Sequence, residues 1–67
     1  MGNYMTIWIA VKIPGIHLSD IEYIPEMLSI NGYTFDTNGD NVIFIWSKEL
    51  EYLKTILNDE GIAFEIL

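Results

Sequence analysis

The chain has no cysteine, no arginine and only three lysines, set against ten aspartates and glutamates. It also has no apolar run of the ~18 or more residues that a bilayer-spanning helix needs. Each absence removes a class of function. Without cysteine there is no disulfide framework, thiolate nucleophile or zinc ribbon. The same absence fits a reducing compartment, so a cytoplasmic location is expected. Without arginine the usual bidentate reader of phosphate and carboxylate is missing. Phosphate binding is driven by Lys and Arg releasing counterions, so direct nucleic-acid binding is not expected of a chain with a formal net charge of −7. There is no cationic N-region for a signal peptide, and no membrane association is expected.

What the chain does have is 51% hydrophobic residues in a length of 67. That is too apolar for a disordered segment and short enough for one domain, residues 1–67. Below ~70–80 residues a natural domain usually leans on a disulfide, a metal or a partner. Self-association or binding to another protein is the remaining support.

Residues Tyr4 to Ile13 alternate, with Met5, Ile7, Ile9, Val11 and Ile13 on one side and Tyr4, Thr6, Trp8, Ala10 and Lys12 on the other. This period of two predicts a half-buried strand, which Pro14-Gly15 ends. Ser19-Asp20-Ile21-Glu22 has the form of a capping box, and Ile21, Ile24, Met27 or Leu28, and Ile30 follow at helical spacing. Pro25 implies either a kink or a regular helix that begins near Ile24 with the proline in its first turn. Tyr33–Thr37 and Asn41–Trp46 are two more strands joined at Asn38-Gly39, a strong hairpin signal. A two-residue turn there pairs Phe35 with Val42. Ser47 is placed to cap a second helix with Leu50, Leu53, Ile56 and Leu57 inward and Gly61 as its stop. Ile62–Leu67 forms a last strand.

The order β-α-β-β-α-β predicts an α+β, ferredoxin-like sandwich: a four-stranded antiparallel sheet with two helices on one face. Such a sheet leaves its other face open. The odd positions of the first strand are the more apolar, so Trp8 is expected on the open face. If Val42, Phe44 and Trp46 face the core, Ile43 and Ile45 join Trp8 outside, and this arrangement leaves Thr34, Asp36 and Glu65 solvated. A bulge that slips the register would instead put Phe44, Trp46, Tyr33 and Phe35 beside Trp8. The first arrangement makes Trp8, Ile43 and Ile45 the candidate partner-binding residues, for a second copy or a different protein.

The same topology gathers acids at one end. Asp20 and Glu22 at the first helix start, Asp36 and Asp40 at the hairpin, and Asp59 and Glu60 at the second helix end form a candidate surface for a basic partner, with His17 nearby. Carboxylates suit a helix N-terminus, but Asp59 and Glu60 face the negative end of a helix dipole, at a cost of ~0.3–1 kcal/mol each.

Catalytic, cofactor and metal motifs are not found. Counting from Asp36, the calcium-loop positions that need glycine and glutamate hold Asn41 and Ser47. His17, Ser19 and Asp20 are the residue types of a triad but crowd one loop, where neighbours rarely orient one another. Met1–Thr6 matches a loose myristoylation pattern that an acidic chain would serve poorly at an anionic membrane. The expectation is therefore a non-enzymatic interaction module, similar in composition to small acidic virus- or plasmid-encoded inhibitors and nucleic-acid mimics. In element order alone the chain also resembles ACT-type modules, and that resemblance implies a small-ligand regulatory domain acting as a homodimer.

Overall fold

The computed structural model describes residues 7–67. The Met1–Thr6 pattern, and the part of the first expected strand before Ile7, lie outside the described residues. The elements are β1 (Trp8–Lys12), α1 (Tyr23–Ile30), β2 (Phe35–Asn38), β3 (Val42–Trp46), α2 (Leu50–Asp59) and β4 (Glu65–Ile66). The four strands form one antiparallel sheet in the order β2-β3-β1-β4, and with two helices this is an α+β structure. The last strand is much shorter than expected, since Ile62–Phe64 precede it in irregular backbone.

One face of the sheet builds the core. Val11 of β1 and Ile43 and Ile45 of β3 are fully buried together with Ile24 and Leu28 of α1 and Leu53 and Leu57 of α2. Both helices thus cover the same face. The helical spacing of those residues explains why: Ile24 and Leu28 are one turn apart, as are Leu53 and Leu57.

Both helices begin later than their caps suggest. A 3₁₀ turn at Leu18–Asp20 contains Ser19, and α1 starts at Tyr23 after Glu22 with no side-chain cap. Pro25 is therefore third in the helix, where its missing N–H falls among those with no intrahelical acceptor. The Ser19 amide instead donates to Asp40 Oδ1 at 3.4 Å. Ser47 likewise opens a 3₁₀ turn, Ser47–Glu49, that leads into α2.

The helix ends follow expectation. At α1 the Tyr33 amide donates to the Leu28 carbonyl at 3.0 Å and the Gly32 amide to that of Ser29 at 3.1 Å. At α2 the Ile62 amide reaches Leu57 at 2.9 Å and the Gly61 amide reaches Asn58 at 3.1 Å. This paired pattern needs a left-handed residue just past the helix, and Gly32 (φ 76°) and Gly61 (φ 69°) supply it. It also drops Ile62 into the core.

The hairpin differs from expectation in a way that decides a whole face. A two-residue turn of the favoured type needs positive φ at both Asn38 and Gly39, and only Gly39 has it. The observed turn is Gly39–Asn41, with Asn38 opposite Val42, Thr37 opposite Ile43, Asp36 opposite Phe44 and Phe35 opposite Ile45. Phe35 was expected opposite Val42, so the pairing has slipped by an odd number of residues. An odd slip exchanges the two faces of β3 relative to β2.

Candidate protein-interaction surfaces

The exchange corrects the expected open face. Ile43 and Ile45 are 0% exposed and lie in the core, not beside Trp8. Their neighbours Phe44 and Trp46 take the open positions, and Tyr33 and Phe35 pack against the core. Trp8 does lie on the open face, 48% exposed. Cross-strand pairing sets Trp8 opposite Trp46 and Ala10 opposite Phe44. The two indoles meet edge to face, 6.1 Å between ring centroids at 70°, a geometry favoured by the ring quadrupole. Lys48 places its ammonium 5.0 Å from the Trp46 ring centroid, a cation–π contact. The Trp46 indole N–H is enclosed and has no acceptor among the described residues.

Alternation also brings four charges onto this face. Lys12 and Glu65 are cross-strand partners, and Asp36 stands opposite Phe44. Lys48 is the fourth. Two lysines and two carboxylates leave the open face formally neutral. The other eight acids and the remaining lysine, Lys54, lie off it, so the helix side and the strand ends carry the entire net charge of −7. Lys54 is itself paired with Glu51 at 3.2 Å.

At the end where β1, α2 and the hairpin meet, chain direction places Asp20, Glu22, Asp40, Asp59 and Glu60. Asp36 was expected there but sits two residues up β2, on the open face, where its Oδ1 accepts the Thr37 amide at 2.8 Å. Asp40 is tied to three successive residues: its carbonyl accepts the Leu18 amide at 2.6 Å, Oδ1 accepts the Ser19 amide, and Oδ2 meets His17 Nδ1 at 2.5 Å. Glu60 accepts a hydrogen bond from the Tyr23 hydroxyl at 3.2 Å, joining the end of α2 to the start of α1. Local desolvation raises the Tyr23 phenol above its ordinary value, and the hydrogen bond to the Glu60 carboxylate and its charge push the same way. Glu60 thus has a structural use that its place at a helix C-terminus did not suggest. Asp20, Glu22 and Asp59 are exposed, and their side chains make no hydrogen bond or ion pair among the described residues.

A shallow cleft of about 300 Å³ is lined by Gly15, Ile16, His17, Asp40 and Asn41. Asp40 orients the His17 imidazole there, but no hydroxyl or thiol lines the cleft for that imidazole to activate. Among the described residues no three His, Asp or Glu side chains converge to hold a metal ion. No helix among them is long and apolar enough to cross a membrane.

The register expected first left out Phe44 and Trp46 as the aromatic partners of Trp8; only the slipped alternative, which also turned Tyr33 and Phe35 outward, included them. The signal that would have found them is the three-residue turn, whose odd count reverses the parity of β3. No protein-family model, curated protein or solved structure matches this chain.

Proposed function

We propose that the chain is a small, non-enzymatic interaction module of ferredoxin-like topology that occupies a basic partner protein, in competition with that partner's nucleic acid. The strand order β2-β3-β1-β4, with both helices on one face, supports the topology. The observation that carries the function is the partition of charge: all seven net negative charges lie on the helix side and the strand ends. A one-signed surface steers a basic partner, speeds encounter and makes binding weaken with salt. The carboxylates assigned to the partner are the uncommitted ones, Asp20, Glu22 and Asp59, joined by the exposed Glu26 of α1.

Capture of lysate proteins on the immobilised chain at low and high salt tests this. The captured set should be basic, released by salt, and lost for the combined variant Glu22→Gln, Glu26→Gln, Asp59→Asn. Release by competing single-stranded nucleic acid is expected as well. Capture that survives both neutralisation and salt would refute the proposal.

A further inference from the structure

We infer that the open sheet face is a homodimer interface and that its occupant is a second copy of this chain. The inference uses a surface that the proposed function leaves unused. Trp8, Phe44 and Trp46 form an aromatic centre on the two middle strands, and aromatic side chains carry much of the energy where proteins meet. Around them stand Lys12, Lys48, Asp36 and Glu65. A surface with equal numbers of both signs complements itself. In a two-fold interface every lysine-to-carboxylate contact is made twice. Nowhere else on the molecule is this so, because the rest carries eight acids against one lysine. Stacking the neutral faces also turns the two acidic bodies outward, away from each other.

The size of the face sets the strength. The four strands, of five, four, five and two residues, at ~4.8 Å spacing and ~3.4 Å per residue give a patch of roughly 260 Å² in projection. Stable interfaces bury ~800 Å² on each partner, so even with side-chain relief this dimer belongs to the weak class. Packed sheets lie ~10 Å apart with strands within ~30° of each other, a separation that aromatic side chains fill from both sides. A dissociation constant of about 100 µM or weaker is therefore expected.

Sedimentation equilibrium of the intact chain, from about 5 µM to about 1 mM, tests the inference. The mass should rise from monomer to dimer across that range. Phe44→Glu and Trp8→Glu should each weaken dimerisation by at least about 30-fold. Ile30→Glu, on an α1 residue 83% exposed, should leave it unchanged. Raising salt from about 0.02 M to about 0.5 M should tighten the dimer several-fold, because it screens repulsion between the acidic bodies. Capture of a basic partner responds to salt in the opposite sense, so the two surfaces can fail separately. Should either aromatic variant lose its circular dichroism, a charge pair replaces it. Lys12→Glu and Asp36→Lys should each weaken self-association, and mixing the two variants should restore a dimer. A chain monomeric throughout, a dimer indifferent to the face variants, or one broken by Ile30→Glu would each overturn the inference.

Discussion

The exchange of faces in β3 makes a sharp prediction about two adjacent residues. Ile45 is wholly enclosed in the core, whereas Phe44 is half-buried on the open face. Truncating a buried isoleucine to alanine costs ~2–5 kcal/mol, the transfer of the lost groups plus the cavity left behind. Phe44→Ala surrenders only about half of a fully buried side chain's ~1.5–3 kcal/mol, or ~1 kcal/mol. Marginal stability of ~0.05–0.15 kcal/mol per residue gives this chain ~3–10 kcal/mol in all. Ile45→Ala therefore removes a large share of the total and Phe44→Ala a small one. Urea titration followed by far-ultraviolet circular dichroism is the assay, since the nearby indoles would respond to Phe44 directly. With a slope of ~1 kcal/mol/M, the midpoint should fall by ~2–5 M for Ile45→Ala and by ~1 M for Phe44→Ala. Work at a few micromolar keeps self-association from contributing. Equal shifts, or a larger one for Phe44→Ala, would refute the placement of β3.

Three further outcomes are expected. Gly61→Ala meets no atom within 4 Å of the added carbon, so its cost is conformational alone, ~1–2 kcal/mol for an L-residue held left-handed; a melting temperature equal to that of the wild type would contradict this. Asp40→Ala removes the acceptor shared by His17 and Ser19, and because both ends are solvent-exposed the loss should stay under ~1 kcal/mol. Asp40→Asn, which keeps a carbonyl oxygen for the Ser19 amide, should recover part of it in the same melt. Tyr23 has a folded-state pKa above its unfolded value of 10.0. Its contribution is therefore complete below that pH and lost as pH rises through the folded value. Tyr23→Phe should flatten the alkaline fall in stability, and parallel profiles for the two proteins would exclude the Tyr23–Glu60 contact.

Much of this architecture was legible because local chemistry and tertiary structure agree. The alternation of Trp8–Lys12, the helical spacing of Leu50–Leu57 and the stops at Gly32 and Gly61 each have one physical solution, and the structure adopts it. The two serines were misleading for a tertiary reason. Ser19 is a good cap by composition, yet its amide is claimed by Asp40 across the hairpin, and Pro25 fits the first turn of a helix that begins later. Val42-Ile43-Phe44-Ile45-Trp46 is apolar at every position, so a period of two cannot say which set faces inward; the turn decides, and its length is not written in Asn38-Gly39 alone. The acids illustrate a further limit. Asp40 and Glu60 look like surplus charge in the sequence, but their partners His17, Ser19 and Tyr23 lie far away along the chain and become neighbours only in the fold.

The position of β1 between β3 and β4 bears on how the chain reaches its native state. The β2–β3 hairpin closes over three residues and forms in microseconds, as such local pairings do. Strand β1 must find β3 across some thirty or more residues, Trp8 meeting Trp46 and Lys12 meeting Val42, and that closure entropy is spent before any contact rewards it. Docking of the N-terminal strand is then the slow, committing event, and β4, which pairs only with β1, has no place to bind until it is over. In stopped-flow refolding, Val11→Ala should slow folding while Ile66→Ala chiefly speeds unfolding. The reverse pattern would mean that the sheet is assembled from its C-terminal edge.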